Sequence, residues 1–230
     1  MKDGLVSSNE VPQVPEVIKG LKGKKAMEEL LKGLTHIESE VLDKILVILL
    51  DCSGSMRGYM ENTSKIEVAW NILKDELAPN LAGWNYGILR FSSTVSWEVY
   101  PTDSPQGLVL ADRPMAIGGT CMRQALETVW EWVRVHTRQA RFILLSDGCP
   151  TDSNPSDLLD MARRHTSIPI DTVGIGSLVS GEYDENFLKE LARLTGGVFV
   201  KAHSVKALAS AIRRLSPAER PMLGEARKGE

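Results

Sequence analysis

The chain has 230 residues, 43% of them apolar and 25% charged, the balance of an ordinary soluble globular protein with one main domain and flanking segments. Lys and Arg total 27 against 30 Asp and Glu, a formal charge of −3, so no basic field exists to draw nucleic acid or another polyanion. The opening "MKDGLVSSNEVPQVPEV" lacks the apolar core of a secretion signal, and no apolar stretch approaches the ~20 residues needed to cross a bilayer. Three widely spaced cysteines, Cys52, Cys121 and Cys149, are too few for a disulfide framework. Together these features point to a cytoplasmic protein without a membrane partner.

In chain order, residues 1–43 read as a Pro-spaced arm, "VPQVPEV", and a helix on which Met27, Leu30, Leu31, Leu34 and Ile37 recur at helical spacing. Strand and helix signals then alternate. "KILVILLD" is a strand, "SKIEVAWNILKDELA" a helix and "WNYGILRFSS" a strand. "TVSWEVYP" alternates apolar with polar and is expected at a sheet edge. The helix "TCMRQALETVWEWVRVHT", the strand "ARFILLSD" and the helix "NPSDLLDMARRHT" follow. In "IPIDTVGIG" a strand runs into the glycines of "GIGSLVSG", read as a strand-end turn. The helix "DENFLKELARLTG" sets Phe187, Leu188, Leu191 and Leu194 on one face and stops at Gly196. After "GVFVKA" comes "SVKALASAIRRL", with Val205, Leu208, Ala209 and Ile212 on one face. Residues 216–230, with two prolines and little apolar content, read as a disordered tail.

Continuous apolar strands alternating with helices mean parallel βαβ units covered on both faces. The expected fold is α/β: a doubly wound, mostly parallel six-stranded sheet with helices on both faces, Rossmann-like, over residues 44–215.

The stretch "ILLDCSGSMRG" of residues 48–58 ends an apolar run in hydroxyls and a carboxylate, which are costly to bury without partners. In an open parallel sheet, ligands bind beyond the carboxyl ends of the strands, near the switch point of strand order, and "KILVILLD" ends there at Asp51. With the chain near extended, side chains at 51, 53 and 55 project to one side, so Asp51, Ser53 and Ser55 converge while Gly54 permits the turn. Two other strand-to-helix junctions carry matching oxygens at the same end: Thr120 in "IGGTC" and Asp147 in "LLSDGCPTD". Two carboxylates and three hydroxyls make an all-oxygen set for a hard cation, Mg²⁺ first, with Mn²⁺ or Ca²⁺ as alternatives.

"DCSGS", the Thr of "GGT" and the aspartate of "SDG" resemble the metal-ion-dependent adhesion site of von Willebrand factor A domains, and the resemblance runs from about Lys44 to about Leu215. It implies that Ser53, Ser55 and Thr120 set hydroxyls near or on the metal, while Asp51 and Asp147 act largely through bound water. It also implies that an Asp or Glu of a partner protein fills the open coordination position, with Thr120 joining the metal directly when it does.

Plainer readings stand beside these. Asp51 and its serines can cap the following turn, and Asp152 and Asp157 read as turn and cap residues. His136, His165 and His203 are isolated on helices or their ends. The cysteines are small hydrophobes under the site or a redox-sensitive rim. Trp130 and Trp132 cannot share one helix face, which puts one of them on a contact surface. Neither a phosphate loop, an "HExxH", nor a second aspartate two residues after Asp51 is present, and no companion base or nucleophile stands out. The reading is a cytoplasmic, metal-dependent protein-binding module within a larger assembly, with no catalytic residue and no organic cofactor. A Mg²⁺-dependent enzyme acting on phosphoryl or nucleotide substrates is the alternative, and a scaffold stabilised by its metal is a third.

Overall fold

The computed structural model describes residues 42–219 apart from 82, 102–106, 109–110 and 177–182. The expected arm and helix before residue 42 and the expected tail from residue 220 lie outside the described residues. Residues 216–219 form a turn in which Ser216 is buried and its hydroxyl donates to the Arg213 carbonyl at 2.7 Å.

The long apolar run becomes β1 (Leu42–Asp51), in which residues 45–50 are completely buried. It is followed by a small antiparallel hairpin, β2 (Tyr59–Met60) and β3 (Thr63–Ser64), and then by α1 (Lys65–Ile72). The helix does not continue evenly through "LKDELA" as its sequence suggested. It widens into a π-helical turn over Leu73–Leu77 and tightens into a 3₁₀ turn over Ala78–Asn80, where Pro79 has no N–H to give. The widened turn buries both Leu73 and Leu77 completely.

Strands β4 (Asn85–Phe91) and β5 (Val95–Val99) pair antiparallel, and β5 is the sheet edge, as its alternating pattern required. Next come α2 (Met122–His136), β6 (Thr137–Ser146), α3 (Pro155–Ala162) and β7 (Ile170–Ile175). The chain closes with α4 (Glu185–Thr195), β8 (Phe199–Ala202) and α5 (Val205–Leu215). The six-stranded sheet has the order β5-β4-β1-β6-β7-β8, parallel at every pairing except β4 with β5.

Period-two alternation divides β1 between two apolar layers. Leu46, Ile48 and Leu50 pack with Trp70 and Leu73 and with Leu208 and Ile212 of α5. Ile45, Val47 and Leu49 pack with Leu126 and Val129 of α2 and with Leu188 and Leu191 of α4. A strand buried on both faces needs no polar residue until its end, which is why the run is unbroken up to Asp51. Gly196 ends α4 at φ 76°, as a helix stop should.

Two expectations change. Gly174 is no turn residue: it lies inside β7, where a Cβ would meet the Tyr183 ring at 2.5 Å, so its bareness lets that ring lie against the strand. Trp132, which Trp130 leaves off the buried face of α2, is half-buried at the β5 edge, with its ring 5.5 Å from Trp97 and its N–H donating to the Tyr100 hydroxyl at 3.1 Å.

Candidate metal centre

From β1 the chain first builds outward to β4 and β5, then returns to lay β6, β7 and β8 on the other side. Strand order therefore reverses between β1 and β6, where adjoining crossovers leave a crevice beyond the strand ends. Asp51 closes β1 and Asp147 follows the last residue of β6, so the two carboxylates flank that crevice.

The oxygens there are joined in a chain. Asp51 is fully buried; its Oδ1 accepts from the Ser53 N–H at 2.8 Å and its Oδ2 from the Ser146 hydroxyl at 2.6 Å. The Ser55 hydroxyl donates to Asp147 Oδ1 at 2.6 Å. Because that uses its only proton, the 2.9 Å contact between the Ser53 and Ser55 hydroxyls has Ser53 as donor. Asp147 Oδ2 accepts from the Lys65 ammonium at 2.9 Å. Ser55 is exposed while Asp51, Ser53, Thr120 and Asp147 are buried, so the cluster opens to solvent on the Ser55 side.

Thr120 enters from the segment before α2. A Cβ placed on Gly148 would lie 3.5 Å from Thr120 Oγ1, 3.7 Å from Ser55 Oγ and 3.9 Å from Asp51 Oδ2. Three oxygens from three separate segments thus look onto one space kept free by a glycine. Among the described residues, no group of three or more His, Cys, Asp or Glu side chains is placed to hold a metal ion. A cation at this end of the sheet would therefore have to use hydroxyls as well as carboxylates. The oxygen-only donors and the open cradle fit a hard divalent ion that keeps some of its waters.

Two adjacent glycines, Gly118 and Gly119, would by themselves leave the Thr120 segment free to shift. Instead it is tied down. Gly118 sits at φ 84° and its carbonyl accepts from the Gly54 N–H at 2.9 Å; Gly119 N–H donates to the Ser93 hydroxyl at 2.8 Å; Thr120 N–H donates to the Thr151 hydroxyl at 2.8 Å. Side chains at either glycine would collide with Ser93 or Thr151, so both are needed for close approach. Asp152 caps α2 from outside, accepting from the Arg123 and Gln124 N–H groups at 3.2 and 3.0 Å.

Burial raises the Asp51 carboxyl to about 6, with the Asp147 charge adding a smaller push and the bonds from Ser146 and Ser53 opposing it. Cys52 lies in the apolar layer beneath, and burial lifts its thiol to about 12, so at neutral pH it is an inert hydrophobe. His136 and His165 are stacked on Trp132 and Trp130, away from the oxygens.

A doubly wound sheet with an oxygen cluster at its switch point defines a class of ligand-binding α/β domains. Residues 46–150 match the von Willebrand factor type A domain, and the chain carries such a domain. A UPF0353 protein of Mycobacterium avium is 28% identical over 196 residues, covering 72% of this chain and 58% of that protein. Among solved structures, the von Willebrand factor type A protein from Catenulispora acidiphila matches with a TM-score of 0.62 at 22% identity, over 77% of this chain and 43% of that one. Proximal thread matrix protein 1 from the mussel byssus, with a zinc-occupied MIDAS motif, matches at TM-score 0.55 and 16% identity, over 76% and 45%. The chain spans a little over half the length of the mycobacterial relative. Domains of this family commonly mediate protein–protein interaction. No helix among the described residues is long and apolar enough to cross a membrane.

Sequence reasoning missed Ser146, Lys65, Ser93 and Thr151. Ser146 adjoins a residue that was singled out, and "LLSD" carried the signal for it; the other three are brought in by neighbouring segments.

Proposed function

We propose that this domain is a non-enzymatic, metal-dependent protein-binding module, holding Mg²⁺ through Asp51, Ser53, Ser55, Thr120 and Asp147 and capturing an Asp or Glu of a partner protein. The observation that carries the reading is the convergence of Thr120, Ser55 and Asp51 oxygens on the space beside Gly148. When bound, the cation would supply a Lewis-acidic position for an anionic oxygen. The chain's own groups orient that position: Ser146 and the Ser53 N–H fix Asp51, and Ser55 and Lys65 fix Asp147.

The surroundings favour a protein ligand over a small anion. Tyr59, Met115 and Ile117, which are 74%, 76% and 57% exposed, lie on the segments that deliver Ser55 and Thr120. Such side chains can bury apolar surface of a partner around a charged contact. Three unpaired cysteines favour an intracellular setting. The zinc at the related site of the byssal protein supports metal occupancy, while the all-oxygen donors favour Mg²⁺ or Mn²⁺ here.

The test is capture of partners from native lysate in Mg²⁺ against EDTA, with Thr120→Ala beside the wild type. Thr120→Ala should keep its circular dichroism spectrum and much of its Mg²⁺ affinity, yet weaken the partner by about 1–3 kcal/mol, the scale of one charge-assisted contact. Full Mg²⁺-dependent capture by the variant would reduce Thr120 to a helix-start residue.

A further inference from the structure

We infer that Thr151 is a positioning residue of the metal centre, which holds the Thr120 hydroxyl at the space beside Gly148 before any cation arrives; this rests on the metal reading above. The two threonines grip each other through the main chain. The Thr120 N–H donates to the Thr151 hydroxyl at 2.8 Å, and the Thr151 N–H donates back to the Thr120 carbonyl at 2.9 Å. Thr151 lies on the loop after β6 that also carries Asp147 and Gly148, so these bonds join the segment of Thr120 to that of Asp147. A Cβ on Gly119 would lie 2.8 Å from Thr151 Oγ1, so the glycine gives the hydroxyl its way in.

Starting α2 does not require these bonds. The helix has Cys121 as its N-cap, so the Thr120 N–H stands outside the helix's own unpaired donors, and Asp152 already accepts from the Arg123 and Gln124 N–H groups. What the bonds do is set one stretch of backbone. Behind two glycines, a free Thr120 would have to be ordered each time its hydroxyl was used, and that lost entropy would weaken ligand binding. With Thr151 on one side and the Ser93 hydroxyl accepting from the Gly119 N–H on the other, the ordering happens on folding instead. Thr151 thus acts on the centre through Thr120.

The full chain is compared with Thr151→Val, which keeps the shape and removes the acceptor, and with Thr151→Ser, which keeps the hydroxyl, each also in a Thr120→Ala background. Exchange of the Thr120 amide in the metal-free protein is followed by NMR, Mn²⁺ affinity by calorimetry, and acetate binding to the Mn²⁺-loaded protein by water-proton relaxation. Thr151→Val should speed the exchange about tenfold and weaken acetate about fivefold, the scale of one hydrogen bond, with Mn²⁺ affinity within about twofold of the wild type. Thr151→Ser should stay within about twofold of the wild type throughout, and in the Thr120→Ala background Thr151→Val should weaken acetate no further, because the two threonines act as a unit. If Thr151→Val does not fold by circular dichroism, Thr151→Ala replaces it with the same expectation. Unchanged exchange or acetate affinity in Thr151→Val, a loss that serine does not restore, or a loss that persists in the Thr120→Ala background overturns the role of Thr151 alone. Absence of Mn²⁺ binding in wild type and variants alike overturns the metal reading and this inference with it.

Discussion

Asp51→Asn should weaken divalent-cation binding by about 10–100-fold, the range for groups that orient or supply ligands at a metal, while the fold survives. Asparagine is the right size. Its carbonyl can still accept from the Ser53 N–H and its amide can donate to the Ser146 oxygen, so the buried hydrogen bonds at Asp51 are replaced and only the charge is lost. The same residue sets a pH dependence. A carboxyl raised to about 6 must lose its proton before a cation can use it, so apparent metal affinity should be flat above that pH and fall about tenfold per unit below it. The metal-free fold should run the other way. Between the ordinary 3.8 and about 6 the folded protein keeps a proton that the unfolded chain has lost, so stability falls as pH rises through that window. Mg²⁺ should therefore raise the melting temperature more at neutral pH than at pH ~5, and Asp51→Asn should abolish the difference. An unaltered metal affinity in Asp51→Asn would remove this residue from the site.

The second large effect lies at the opposite end of the sheet. Arg141 of β6 and Asp171 of β7 are 3% and 0% exposed, and the guanidinium donates to Asp171 Oδ2 through both Nε, at 2.7 Å, and Nη2. Asp171 Oδ1 also accepts from the Val198 N–H at 2.8 Å, tying the turn before β8 to the sheet. Asp171→Ala takes the carboxylate from a buried guanidinium and should cost about 3–5 kcal/mol in urea unfolding, more than most core truncations of similar volume. Replacing both partners with apolar residues, Arg141→Met with Asp171→Leu, should cost clearly less, because neither member of this pair is left buried without the other. Metal affinity should stay within error in whichever variants fold. A single-variant loss under about 1 kcal/mol would show that water or another group replaces Asp171 beside the arginine.

These expectations show what can be read along a chain and what cannot. The unbroken apolar run of β1, the alternation of β5 and the glycine after α4 announce their places, because burial on two faces, burial on one face and a left-handed cap each leave a local pattern. Strand period was the ground for bringing Asp51, Ser53 and Ser55 together, but β1 ends at Asp51 and Ser55 lies in a 3₁₀ turn over Gly54–Arg57, where its hydroxyl meets Ser53 and Asp147; that Asp147 follows a strand end beside β1 reflects the parallel topology. Lys65 shows the opposite case. At the start of "SKIEV" it looks like any solvated lysine, and only the fold brings Gly58 over its stem and Asp147 to its tip. Ser93 and Thr151 reach the Thr120 segment from neighbouring loops, contacts for which sequence spacing holds no signal. The π-helical turn of Leu73–Leu77 likewise satisfies burial of two leucines in a way helical periodicity does not foresee.

Metal-dependent partner capture requires that this oxygen cluster hold a divalent cation. Calorimetric titration of the wild-type chain with Mn²⁺ at about pH 7.5, where the Asp51 carboxyl is ionised, tests that directly. One site per chain is expected, competed by excess Mg²⁺ and greatly weakened in Asp51→Asn. No heat beyond dilution, or binding that Asp51→Asn leaves intact, would contradict it.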